Sequence, residues 1–133
     1  MILNKISQQR LQACDPILQL LAIEAAKESP YEFVITCGMR TIAEQQKLFA
    51  QGRTIPGKKV TNCDGVIKKS KHNYSPSKAF DFAVIINGEL TWDEKYYNEM
   101  GEHFKKTAIN FGLKISWGGD WKKFKDKPHI EIP

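Results

Sequence analysis

The sequence predicts an α+β fold: a small antiparallel sheet packed against helices, with a long loop before its central strand. Three observations point there. Helix-forming and strand-like runs come in blocks (helices, strand, helix, loop, hairpin, helix, two strands) rather than in strict alternation. Two of the strands are joined by Asn87-Gly88, a strong hairpin signal. The chain has 133 residues, 41% hydrophobic and 26% charged, which is the size and composition of one globular domain. Residues 1–133 are therefore read as a single domain, helical over about residues 1–30.

In chain order, residues 5–13 suit a short helix capped by Ser7. Asp15-Pro16 is an N-cap followed by proline at the first helical position, and ILQLLAIEAAK carries that helix to Lys27. Ser29-Pro30 stops it. Phe33 to Cys37, FVITC, reads as a buried strand that takes Cys37 into the core. Thr41 and Glu44 form a capping box for the next helix, which ends at Gly52. Residues 53–78 hold Pro56-Gly57, Asp64-Gly65 and Ser75-Pro76-Ser77, and a loop of that length in a compact domain is usually functional or disordered. AFDFAVII is a strand, Asn87-Gly88 its turn and ELTW the return strand. Asp93 caps a helix to about Phe111 with Tyr97, Met100, Phe104 and Ala108 on one side. LKISW is a strand, Gly118-Gly119 a turn and HIEI the last strand.

No apolar stretch approaches the roughly 20 residues of a membrane-spanning helix. The N-terminus lacks a basic region followed by an apolar one, so the chain is expected to accumulate first in the cytoplasm in which it is made. The three cysteines, Cys14, Cys37 and Cys63, are odd in number and have no CxxC spacing, which argues for free thiols. A net charge of +5 favours polyanions, including nucleic acids and anionic wall polymers. The lysines are dispersed, and the aromatics do not interleave with them as a nucleic-acid stacking platform would.

Asp81 is the residue that does not fit its surroundings. It lies between Phe80 and Phe82 in an apolar strand, and a buried carboxylate is costly unless paired. His72, nine residues earlier, and His129, which opens the terminal strand, complete a His–Asp–His set acceptable to a catalytic zinc ion. Spacing leaves the alternative open: a loop histidine, and an aspartate paired with a lysine. His103, inside a helix, reads as a surface or packing residue. Glu131 shares a strand face with His129 by the two-residue period. Asp126, on the turn before that strand, is placed to serve as a base. Arg40, at the mouth of a strand, is the candidate cation for a developing oxyanion.

Three segments, MRTIAEQQKLFAQGRTIPGKKVTN, SKHNYSPSKAFDF and WGGDWKKFKDKPHIEI, together resemble the zinc L-alanyl-D-glutamate endopeptidases of bacteriophage endolysins. Those enzymes share a peptidase family with D-alanyl-D-alanine carboxypeptidases and dipeptidases. The resemblance runs from about Phe33 to Glu131. It implies one zinc ion held by His72, Asp81 and His129, with Asp126 as general base then acid and Arg40 steadying the substrate carbonyl. Ser70 matches the serine before the first ligand. Ser70, Glu131 and Trp117 are carried as substrate-contacting or supporting residues. The gap from His72 to Asp81 is longer than the family pattern, and Ser75-Pro76-Ser77 stands where that pattern has glycine, which marks the place to look for a difference in substrate fit.

The function so implied is hydrolysis of the peptide stem of bacterial peptidoglycan at the L-alanyl-D-glutamate bond, for phage-driven host lysis. The rival cut is that of a D-alanyl-D-alanine carboxypeptidase or dipeptidase, and the rival class is a non-enzymatic basic binding module. The resemblance also implies a monomer without a separate wall-binding domain or nucleic-acid partner. It would reach the wall, in the periplasm, with the help of a holin.

Overall fold

A computed structural model describes residues 1–133. Four helices, α1 (Lys5–Gln12), α2 (Pro16–Lys27), α3 (Ile42–Ala50) and α4 (Glu94–Asn110), accompany five strands. The strands are β1 (Glu32–Cys37), β2 (Ala79–Ile86), β3 (Glu89–Thr91), β4 (Ser116–Trp117) and β5 (His129–Glu131). This is the α+β architecture with an antiparallel sheet. β2 is its centre. β1 takes one edge of β2, while β3 and β5 share the other, pairing with Val84–Ile86 and Ala79–Asp81 respectively. β4 continues the sheet beyond β5. The β2–β3 turn has Asn87 and Gly88 at φ 52° and 80°, the left-handed pair that a two-residue hairpin needs.

The two faces of the sheet do different jobs. Phe33, Ile35, Phe80, Phe82, Val84 and Ile130 face one way, and all are fully buried. They meet Leu11 of α1, Leu18 and Leu21 of α2, and Tyr97, Met100 and Phe104 of α4 in one core. The Phe104 ring lies 5.0 to 5.7 Å from the rings of Phe33, Phe80 and Phe82, the offset and edge-on contacts that aromatic quadrupoles favour. The alternate residues of β2 and β5, Asp81, His129 and Glu131 among them, face the other way.

Three local expectations change. Asn4, not Ser7, caps α1 by accepting from Ser7 N at 2.8 Å. The Ser7 hydroxyl is buried and accepts from Ile35 N at 2.8 Å, so a sheet contact outcompetes the local one. LKISW shortens to Ser116–Trp117, because only those residues find partners on the three-residue β5. Ser75-Pro76-Ser77 is not wholly a free loop. Ser77 is fully buried, donates its N–H to Ala13 O and accepts at its O from Asp15 N, so the extra length bolts this segment to the α1–α2 turn.

Candidate metal centre and active site

Strand register builds the site. Asp81 stands opposite Cys37 on β1 and opposite His129 on β5. Residues directly opposite share a face, so Cys37, Asp81 and His129 form a row across three strands. A register shift between Ile35 and Cys37 brings Cys37, rather than Thr36, into that row. Cys37 is therefore half-buried beside the site and not a core residue, as its apolar run had suggested. His72 arrives from the loop on a 3-10 turn, Lys71–Asn73, whose cap is Ser70: its hydroxyl accepts from His72 N at 3.2 Å.

The two imidazoles converge on one oxygen. His72 Nε2 is 3.2 Å and His129 Nδ1 3.0 Å from Asp81 Oδ1. Their outer nitrogens are also spoken for. His72 Nδ1 donates to Gly38 O at 2.7 Å, and His129 Nε2 donates to a Glu131 carboxylate oxygen at 2.8 Å. These outer bonds fix both rings so that Nε2 of His72 and Nδ1 of His129 are presented to Asp81, the role outer partners play for metal-ligating histidines. Arg40 Nη2 lies 3.7 Å from Asp81 Oδ2, and His129 Nδ1 lies 3.8 Å from Asp126 Oδ2.

Every ring nitrogen here faces an acceptor, so without a cation both histidines hold their protons. Burial works against the charge, but the bonds to Asp81, Cys37 and Glu131 prevail, and His72 is pushed up to about 10 and His129 to about 9. Burial likewise opposes the Asp81 charge, and the two histidines override it, holding its carboxyl well below the ordinary range. Two imidazolium rings 5.1 Å apart around one carboxylate put two positive charges where a divalent cation would put the same charge. The donor set, two imidazoles and a carboxylate, suits such a cation. Potential ligand atoms cluster in two overlapping groups, Cys37–His72–Asp81 and Asp81–Asp126–His129, joined at Asp81. The Cys37 thiol faces His72 Nδ1 at 3.8 Å, the nitrogen already bonded to Gly38 O, and it lies within 4.8 Å of an Asp81 carboxylate oxygen. Burial raises this thiol, but the His72 bond and charge, with Arg40, bring it below its ordinary value.

Metal uptake is therefore expected to release protons. Both histidine pKa values are raised, so below about 9 the rings are charged in the metal-free chain and must shed protons to become ligands. Affinity should fall as the pH falls. Titration calorimetry in two buffers of different ionisation enthalpy checks this, and equal heats in both would show that the imidazoles enter neutral.

Asp126 stands at the rim, with its side chain 48% exposed. Burial and the Asp81 charge raise its pKa above the ordinary value, against the pull of His129, His72 and Arg40. Its backbone is held hard: Asp126 N donates to Gly118 O at 3.0 Å, and a Cβ on Gly118 would come within 2.0 Å of Asp126 O. Trp117 is buried and donates Nε1–H to Lys127 O at 2.7 Å, supporting that turn from the core side. His103 lies apart and donates to Ala25 O at 2.8 Å, tying α4 to α2. Cys37, Gln45 and Trp121 also border the site; the sequence had placed Cys37 in the core and singled out neither Gln45 nor Trp121. The Trp121 ring is 5.3 Å from that of His129, and Gln45 Oε1 accepts from Arg40 Nη1 at 2.8 Å.

A histidine–aspartate–histidine cluster on an open sheet face, flanked by a further acid and an arginine, is a layout suited to metal-assisted hydrolysis. Comparison with known proteins makes the class specific. The chain belongs to the phage L-alanyl-D-glutamate peptidase family, whose profile matches residues 1–132. It is 40% identical over 112 residues to the peptidoglycan L-alanyl-D-glutamate endopeptidase CwlK of Bacillus subtilis, an alignment covering 81% of this chain and 65% of that protein. This chain thus spans just under two thirds of that relative. It is 30% identical over 130 residues to the L-alanyl-D-glutamate peptidase of Escherichia phage T5, covering 97% of this chain and 87% of the phage protein. The fold matches the crystal structure of ChiX, an L-Ala D-Glu endopeptidase of Serratia marcescens, at TM-score 0.80 and 24% identity, over 99% of this chain and 90% of that one.

Proposed function

We propose that the protein is a zinc-dependent peptidoglycan peptidase that hydrolyses the L-alanyl-D-glutamate bond of the stem peptide. The observation that carries this reading is the convergence of His72 Nε2 and His129 Nδ1 on Asp81 Oδ1, with Asp126 and Arg40 on either side. The family, and the activity for which CwlK and the phage T5 protein are named, support the choice of bond. His72, Asp81 and His129 would hold the ion, a nitrogen-and-oxygen set that fits zinc. Bound there, zinc supplies Lewis acidity toward the substrate carbonyl and toward water.

The chain's own residues supply the rest. Asp126, at the exposed rim, takes the proton of the attacking water and passes it to the leaving amine. Arg40 directs its guanidinium to the substrate carbonyl oxygen, where negative charge develops. Glu131 and Gly38 O hold the two imidazoles in the orientation the ion needs, and Ser70 caps the turn that delivers His72. The phobic neighbours of Asp81 on β2 are packed into the core, which makes the ligand strand rigid.

The same reading gives the protein a part in phage-driven host lysis, made in the host cytoplasm and reaching the wall in the periplasm with the help of a holin. No helix is long and apolar enough to cross a membrane. The test is digestion of defined peptidoglycan with and without chelator, followed by mass analysis of the fragments. Release of stems starting at D-glutamate, lost with chelator and restored by zinc, is the expected result. Loss of terminal D-alanine would instead assign the carboxypeptidase cut, and no cleavage at all would sink the reading.

A further inference from the structure

Gln45 on α3 is fully buried, and both ends of its amide are used. Its Oε1 accepts from Arg40 Nη1 at 2.8 Å, and its Nε2 donates to Cys63 O at 2.8 Å and to Thr61 Oγ1 at 3.2 Å. The orientation is forced, because a guanidinium only donates and a backbone carbonyl only accepts. A buried amide with both ends bonded is stable, and one with an end released is costly. Gln45 therefore joins two parts of the molecule by a direct side-chain bridge.

One part is Arg40. Its backbone already belongs to the His72 segment: Arg40 N donates to His72 O at 2.8 Å, and Asn73 Nδ2 donates to Arg40 O at 3.0 Å. Gln45 and the Cys37 thiol, 3.6 Å from Nη2, then aim its side chain along Asp81. The other part is the loop of residues 53–70. Within it, Thr61 O accepts from Arg53 Nη1 at 3.1 Å, while Gly65 packs so closely on Gln45 that an added Cβ would lie 3.2 Å from its Cβ and Cγ. Asp64 Oδ1 closes the turn by accepting from Val66 N and Lys68 N, both at 2.9 Å. Beyond these anchors the loop exposes Val60, Val66 and Ile67 among its lysines.

We propose that Gln45 is a positioning residue that makes closure of the 53–70 loop and the direction of the Arg40 guanidinium a single equilibrium. A substrate strand pressing on the loop would thereby set the arginine that meets the scissile carbonyl. The functional meaning rests on the hydrolytic reading above, whereas the coupling itself is measurable without any activity. Linkage makes it reciprocal: loosening Arg40 must loosen the loop as much as loosening the loop frees Arg40.

The experiment is limited trypsin digestion of the metal-loaded chain, following cuts after the exposed Lys58, Lys59 and Lys68 by mass spectrometry, with the exposed Lys114 as an internal control. Cleavage of a closed loop tracks its open population. Arg40→Met should quicken the loop cuts about two- to tenfold, the worth of one hydrogen bond, and leave the Lys114 cut unchanged. In a Gln45→Met background the same change should add nothing, because the joint is already gone. In the reverse direction, Thr61→Val should lower kcat more than it raises KM, with zinc stoichiometry unchanged. Loop cuts at the wild-type pace in Arg40→Met, or additive effects in the double variant, would overturn the coupling. If Gln45→Met does not fold, the Arg40→Met digestion decides alone. A chain without any hydrolytic activity would remove the functional reading and still leave the digestion to decide the coupling.

Discussion

Asp81→Asn is expected to abolish zinc binding and hydrolysis together while leaving the fold in place. Asp81 is the one residue common to both clusters of potential ligand atoms, and its Oδ1 is where the two imidazoles meet. An amide in its place keeps the volume between Phe80 and Phe82 but loses the negative charge that draws a dication. The metal-free chain should lose on the order of 2 kcal/mol, the scale of hydrogen bonds to a charged group. That loss is modest because His72 and His129 can shed their protons once the carboxylate is gone. The sign follows from their raised pKa values: their pairing with Asp81 stabilises the wild-type chain below the ordinary histidine value and is lost as the pH rises through about 9 to 10. Metal analysis and thermal melting with and without chelator check the prediction. Wild type should gain stability that grows with the logarithm of free zinc once its concentration exceeds Kd, and Asp81→Asn should not. A variant that still carried one zinc per chain with the full thermal gain would refute the ligand set.

Much of this centre could be read from the chain because strand periodicity is strict. Asp81 announced itself as an acid among phenylalanines, and its neighbours Phe80 and Phe82 do turn to the core while it turns away. His129 and Glu131, two residues apart, share a face, and the structure joins them by a hydrogen bond. The Thr41–Glu44 capping box and the Asp15-Pro16 start are local motifs, and both form as local chemistry dictates. What escaped is what depends on partners distant in sequence. The β1 irregularity that sets Cys37 opposite Asp81 has no residue signature in FVITC. Ser7 reads as a cap until Ile35 N claims its hydroxyl. Gln45 looks like an ordinary helix former, and only the return of Thr61 and Cys63 from an aperiodic loop makes it a buried fork. Likewise the Ser75-Pro76-Ser77 stretch gives no hint that Ala13 and Asp15 will hold Ser77. The positions of His72, Asp81 and His129 were legible; that two strands and a loop would bring them to one oxygen was suggested by the family resemblance, not by spacing.

Asp126→Asn should separate chemistry from metal binding. The side chain is not among the atoms that meet at Asp81 Oδ1; it stands at the rim, 3.8 Å from His129 Nδ1, where water and substrate have access. Asparagine keeps the shape and cannot accept a proton from water, so zinc should remain at one per chain while turnover falls by about 10² to 10⁴, the usual worth of a general base. The backbone will not move to compensate, because Gly118 O and the Trp117 indole hold residues 126 and 127 from two sides. That rigidity gives an independent control. Gly118→Ala would drive a Cβ to 2.0 Å from Asp126 O, so the turn must shift and carry an intact carboxylate out of position. It should reproduce much of the rate loss with Asp126 still present. Single-turnover kinetics on a soluble stem peptide, with zinc content measured on the same samples, reads both variants. Near-normal turnover in Asp126→Asn would exclude this carboxylate as the proton carrier. A rate loss accompanied by lost zinc would make Asp126 a ligand instead, in line with the cluster it forms with Asp81 and His129.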